Sequence, residues 1–246
     1  MRLMRFNPGL AERRVRSITT VDCCRYLERA YGNSASQYRK ARAIMSGVFS
    51  TAIRCGWCDT NPVARVEVPV VREKPVAILQ TGEIQNLLKS AEEKENGACL
   101  PALGMMLYAG IRPHEVTRLT WSHVDLAHRC ISIPAQHSKT GGARCVSIKK
   151  PLERILRNCR YSNPDEGICP CNWREKWRAV RLAAGWGEGS KRWTPDVLRH
   201  TFASYHLSYY RDYTALQWEM GHRSSALLRT RYVDMSATRY PEAFWR

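Results

Sequence analysis

Three residue types that handle phosphate gather in the last quarter of the chain. Leu198-Arg199-His200-Thr201-Phe202-Ala203-Ser204 is followed by Met220-Gly221-His222 and then by Arg231-Tyr232. A guanidinium clamps two oxygens of one phosphate through its planar fork, an imidazole donates a hydrogen bond, and a tyrosine hydroxyl can attack phosphorus. Breaking a phosphodiester without metal requires those functions and a proton for the departing oxygen. The sequence has no Asp/Glu cluster at metal-ligand spacing, and Gly141-Gly142 is too little to form a phosphate-cradling loop. Neither a two-metal nuclease nor an NTPase is supported, and no metal or cofactor is expected.

These residues need elements to position them. Thr194 as N-cap and Pro195 at the first helical position predict a helix that buries Val197, Leu198, Thr201, Phe202 and Tyr205. Arg199 and His200 lie in that apolar row. A cation there calls for an anionic partner, and Asp196 is the nearest carboxylate. Ser224 predicts a further helix start, with a short helix over 226–231 ending at Tyr232. Upstream, Gly110 allows a tight turn and Pro113 begins a helix, so Arg112 and Glu115 stand three apart at its start, where a local ion pair is the plain alternative. Cys130–Pro134 and Cys145–Ile148 read as strands joined by Ser138-Lys139-Thr140-Gly141-Gly142, a hairpin turn with a lysine that by itself could serve only solubility.

The other helical patterns are apolar stripes. Thr81 caps a helix bearing Ile84, Leu87, Leu88 and Ala91, and another runs through Leu100, Leu103, Met106 and Leu107. A helix is expected over 151–160, and one more carries Trp173, Trp177 and Val180, a stripe read as core rather than as a base-stacking platform. Residues 1–67 read as helical. Ser17 to Asp22 offers a cap for a helix over 23–31, and the next is predicted to bury Ala41, Ile44, Met45, Val48, Phe49, Ala52 and Ile53, with Arg39, Lys40 and Arg42 on the opposite face. Residues 68–74, ending at Lys74, read as an extended linker. The expected architecture is mainly α with a small β-hairpin (α+β): a helical domain over 1–70, a linker over 71–76 and a second domain over 77–246.

The chain has 246 residues and a formal charge of +17, which points to a polyanionic partner. Residues 1–76 hold 14 Lys/Arg against 6 Asp/Glu, so the excess is shared by both parts and suits two surfaces closing on one partner. The first residues lack an apolar core segment, so no secretory signal is expected. The apolar run from Ala98 to Ile111 contains Pro101 and is shorter than the roughly 20 residues of a membrane span. The reading is a soluble protein of the bacterial cytoplasm or nucleoid. Its ten cysteines are expected to be mostly reduced thiols in small core sites, with a zinc site at Cys55, Cys58, Cys169 and Cys171 as the lesser alternative.

Taken in order, Gly110-x-Arg112-x-x-Glu115-x-x-x-Leu119, the strand–Lys139-Thr140-Gly141–strand unit, Leu198-Arg199-His200-Thr201-Phe202, Gly221-His222 and Arg231-Tyr232 resemble the signature of the tyrosine recombinases, the phage integrase family. Phe49 to Pro62 resembles the end of that family's core-binding domain. The resemblance implies a site-specific recombinase acting on double-stranded DNA. Arg112 and Arg199 would clamp the scissile phosphate, His222 would donate to it, Tyr232 would attack, and Lys139 would protonate the 5′ oxygen. It also implies a 3′-phosphotyrosyl link, a Holliday junction, a homotetramer and accessory DNA-bending proteins. Arg39, Lys40, Arg42, Lys74 and His200 are the candidate DNA contacts, and Val233 to Arg246 is the candidate tail for docking on a neighbour. Asp196 stands where the family has His or Lys. It could serve as a base for Tyr232 or pair with Arg199, and it is expected to lower activity without abolishing it. Tyr240 is the fallback nucleophile; Tyr209 and Tyr210 are read as packing residues. The alternatives are a weakened or inactive DNA-binding relative, such as a prophage remnant, and a type IB topoisomerase-like activity.

Overall fold

The computed structural model describes residues 10, 12–70, 76–138, 142–159, 163–187, 190, 193–194, 196–222, 238 and 240–246. The chain divides into two compact units, Met1–Lys74 and Pro75–Arg246. Lys74, Lys139, Pro195, Tyr232 and the predicted helix over 226–231 lie outside the described residues.

In the first unit, α1 (Thr20–Tyr31) starts at Thr19, whose hydroxyl accepts from the Asp22 backbone N–H while the Asp22 carboxylate accepts from the Thr19 N–H. The following helix, α2 (Ala35–Arg54), is capped by Ser34. The stripe it buries is Tyr38, Met45, Phe49 and Ala52, packed with Cys23, Leu27 and Val63. Ile44, Val48 and Ile53, expected inside, are exposed. In this unit α2 packs against α1 and the turn Pro62–Arg65, which cover a narrower stripe than the apolar pattern offers.

Arg42 also makes contacts within the unit. Its Nε donates to the Val66 carbonyl at 2.8 Å and its Nη2 to the Ala64 carbonyl at 3.2 Å, so this guanidinium pins the chain after the turn. Arg39 and Lys40 are exposed.

The second unit opens with α3 (Thr81–Glu93), whose N-cap is Gln80 rather than Thr81. There the Glu83 carboxylate accepts from the Gln80 N–H at 2.8 Å. Next come α4 (Leu100–Tyr108), buried on all sides, and α5 (Pro113–Val116), a single turn. Three antiparallel strands follow: β1 (Val124–Asp125), too short to read from the sequence, β2 (Cys130–Ile133) and β3 (Arg144–Ser147). In the β2–β3 register Ile131 faces Val146, and Ile133 faces Arg144. Cys130 and Cys145 lie near each other on the other face, their Cα atoms 6.1 Å apart, and the remaining eight cysteines are free.

Among the described residues the unit also holds α6 (Lys150–Asn158), α7 (Trp173–Ala183), α8 (Val197–Tyr210), α9 (Tyr213–Met220) and α10 (Pro241–Phe244). Trp173 and Trp177 stack at 5.3 Å and join Trp186 and Trp193 against the core. Along α8, Val197 to Leu207 are buried apart from half-exposed His200, because α4, α9 and α10 all pack on it. The described helix begins at Val197, with Asp196 at its N-cap.

Of the tail expected to dock on a neighbour, residues 238 and 240–246 are described. Phe244 stacks on Tyr205 at 4.4 Å and lies 4.9 Å from Tyr108. Trp245 meets Phe202, Tyr209 and Tyr210. These aromatic side chains form a recess within the same unit that takes both residues. No described helix is long and apolar enough to cross a membrane.

Candidate active site

The site is assembled where α8 crosses the Gly110 turn and the end of α9. Arg199 projects from α8 at 3% exposure. Its Nη1 donates to the Gly110 carbonyl and its Nη2 to the Met220 carbonyl at 2.6 Å. The buried cation thus meets main-chain oxygens, while Asp196, its expected partner, is exposed. The same Nη2 lies 3.0 Å from Nε2 of His222. That contact requires Nε2 to accept, placing the neutral ring's proton on Nδ1.

Two glycines make this geometry possible. Gly110 has φ +60, and a Cβ there would lie 2.3 Å from Cδ1 of Phe202. Gly221 has φ +62 and ends α9 in the left-handed conformation, with the Arg144 side chain against it. A side chain at either position would be strained and would collide with a neighbour.

Arg112 sits before Pro113 in extended conformation, and its N–H donates to Oε2 of Glu115 at 3.1 Å. Its Nη1 donates to Oε1 of the same carboxylate at 3.2 Å. The local ion pair is therefore formed, but it is one part of a larger group. Arg144 of β3 grips Glu115 from the other side, Nη1 to Oε1 at 3.1 Å and Nη2 to Oε2 at 2.6 Å. Burial alone would raise the carboxyl of fully buried Glu115. The hydrogen bond and charge of Arg144, then those of Arg112, outweigh it and hold Glu115 below its ordinary value.

His222 responds in the opposite direction. Burial, and then the charges of Arg199, Arg112, Arg144 and His200, lower its pKa to about 4. It is therefore neutral near pH 7. The three guanidinium cations act on one imidazole, which makes the potential here positive, suited to a phosphate diester.

Of the sequence candidates, Arg112, Arg199 and His222 come together, with half-buried His200 beside them and Asp196 one helical turn before His200. Missing from the candidates were Arg144 and the part played by Glu115. One signal was available: Arg144 and Val146 alternate onto the same face of β3, so the arginine points inward and requires a buried anion. Among the described residues no group of His, Cys, Asp or Glu could hold a metal ion.

Residues 77–239 match the model of the phage integrase family. The chain belongs to that family. It is 28% identical over 203 residues to tyrosine recombinase XerC of Pseudomonas fluorescens, covering 78% of this chain and 67% of that one. A protein of Pseudomonas phage Pf1 is 27% identical over 193 residues, and there the chain spans 55% of the relative's length. The fold of this integrase family member is similar to that of a chain in the crystal structure of a lambda integrase dimer bound to a COC′ core site. The TM-score is 0.73 at 18% identity, over 93% of this chain and 84% of that one. The mainly helical architecture with its small antiparallel sheet is thus the family's own.

Proposed function

We propose that the chain is a site-specific recombinase that cuts and rejoins double-stranded DNA through a 3′-phosphotyrosyl intermediate. The observation that carries the reading is the convergence of Arg112, Arg199 and His222 in one recess of high positive potential. Arg112 and Arg199 hold the nonbridging oxygens of the scissile phosphate. A single contact of this kind contributes about 3–4 kcal/mol to the rate. His222, neutral when the site is empty, turns its Nε2 from Arg199 to the phosphate and donates there as the other tautomer, or as the imidazolium that the diester's charge favours.

In the chemical step the Tyr232 oxygen forms a bond to phosphorus as the bond to the 5′ oxygen breaks. The phenolic proton passes to a base, for which Asp196 is the candidate carboxylate, and Lys139 delivers a proton to the 5′ oxygen. The reverse attack by a 5′ hydroxyl restores the diester without ATP, because the tyrosyl ester conserves the bond. Arg39, Lys40, Arg42, Lys74 and His200 add contacts to the duplex. Four copies on two synapsed duplexes, with accessory DNA-bending proteins, complete the reaction. Two relatives' structures fit this reading: one has lambda integrase as a tetramer bound to a Holliday junction, and another has the Tn1549 transposon integrase in complex with a circular intermediate DNA.

The test is incubation with nicked duplexes taken from the flanks of the chain's own gene. A protein–DNA adduct that survives denaturation is expected. Salt-sensitive binding without an adduct would make the chain a binding module and overturn the proposal.

A further inference from the structure

We infer that Arg144 is a positioning residue that keeps the Arg112 guanidinium available to the scissile phosphate and fixes the turn that carries His222. This role rests on the recombinase reading above. The argument begins with Glu115, whose side chain is wholly buried. Each of its oxygens takes two donors: Oε1 receives Nη1 of Arg112 and Nη1 of Arg144, and Oε2 receives the Arg112 N–H and Nη2 of Arg144. Arg144 presents the parallel two-point fork, while the Arg112 side chain makes a single contact through Nη1.

The division of labour follows from the carboxylate's needs. A buried carboxylate requires charge-assisted donors on both oxygens. With Arg144 supplying the fork, one nitrogen of Arg112 suffices. Without Arg144, the carboxylate would draw Arg112 into the fork geometry and turn its remaining N–H groups from the phosphate.

The same side chain reaches the other half of the site. Nε of Arg144 donates to the Glu219 carbonyl at 3.1 Å. Its Cδ, Nε and Cζ lie where a Gly221 Cβ would be, at 2.9, 3.1 and 3.2 Å. Arg144 therefore packs against the turn that delivers His222. It also belongs to β3, the strand that leads away from the hairpin turn with Lys139. Strand, Arg112 and His222 turn are thereby tied through one guanidinium at 6% side-chain exposure. The three contacts made by Arg144 end on protein acceptors, so its part is positioning and not contact with substrate.

The experiment compares wild type, Arg144→Gln, Arg144→Lys and the double variant Glu115→Gln/Arg144→Gln on a nicked suicide duplex, measuring DNA affinity and the single-turnover rate of adduct formation separately. Arg144→Gln is expected to lower the rate about 100-fold, the scale of a misplaced catalytic group, with DNA affinity within about threefold of wild type. The double variant removes the carboxylate that captures Arg112, so it is expected to recover about tenfold of that loss. Arg144→Lys keeps the charge without the fork and is expected to fall about tenfold at unchanged melting temperature, which carries the test if Arg144→Gln does not fold.

Wild-type rates in Arg144→Gln and Arg144→Lys would overturn the role. So would a double variant no faster than Arg144→Gln, or a loss seen in DNA affinity rather than in rate. A wild-type chain that forms no adduct refutes the recombinase reading itself, whereas an active wild type matched by its Arg144 variants refutes this role alone.

Discussion

Replacing Gly110 by alanine would set a methyl carbon 2.3 Å from Cδ1 and 2.8 Å from Cε1 of Phe202, well inside contact distance. Two costs add. The left-handed conformation at φ +60 costs a non-glycine residue about 1–2 kcal/mol. The overlap falls on a fully buried ring packed against Trp245, and overpacking of this kind costs about 1–3 kcal/mol. The Gly110→Ala chain should thus lose about 2–5 kcal/mol of unfolding free energy, read by urea denaturation with tryptophan fluorescence. Adduct formation should fall as well, because the Gly110 carbonyl holds Arg199. The two costs separate in a cycle with Phe202→Ala. That change alone should cost about 3–5 kcal/mol, and the double variant should be more stable than the sum of the singles by about 1–3 kcal/mol, the overlap having been removed. Additivity within about 0.5 kcal/mol, or a Gly110→Ala chain as stable as wild type, would refute the steric reasoning.

A second prediction concerns pH. His206 is buried among Phe202, Tyr210 and Trp245, with the Glu219 carboxylate 3.7 Å away and Lys149 and Asp212 acting on it as well. Burial lowers its pKa to about 4, Lys149 adding to the fall and Glu219 and Asp212 opposing it. The folded ring stays neutral while the unfolded one protonates near 6.5, so the stability from this site is complete above pH 6.5 and lost as pH falls toward 4. The loss is about 3 kcal/mol, and His206→Gln should flatten the stability profile over that window; an unchanged profile would contradict the assignment. Third, Asp196 is exposed, so its repulsion of a phosphate is nearer the aqueous limit of about 1 kcal/mol than the buried one. Asp196→His should raise the yield of covalent adduct about fivefold, and no gain would show that the carboxylate does not oppose the substrate.

Motif order made Arg112, Arg199 and His222 legible, because each sits at a local signal: a glycine turn, a helix start or a glycine helix stop. What escaped depends on partners distant in sequence. Arg144 meets Glu115 across 29 positions and the Glu219 carbonyl across 75. Arg42 lies on the polar side of its helix by pattern, yet carbonyls 22 and 24 residues on claim it. Periodicity marked Ile44 and Val48 as core, but it counts apolar residues and does not say how many neighbouring elements exist to cover them. The two-residue strand β1 and the recess that receives Phe244 and Trp245 are likewise products of tertiary packing, with no periodic trace of their own.

The central claim, a phosphate held by Arg112, Arg199 and His222 and attacked by Tyr232, is most directly tested by locating the covalent link. Trypsin cuts after Arg231 and Arg239, placing Tyr232 and Tyr240 on different peptides. Mass spectrometry of the digested, nuclease-trimmed adduct should find the nucleotide on the peptide spanning residues 232–239, and Tyr232→Phe should abolish it. A nucleotide on the peptide spanning residues 240–246, or an adduct that persists in Tyr232→Phe, would contradict the account.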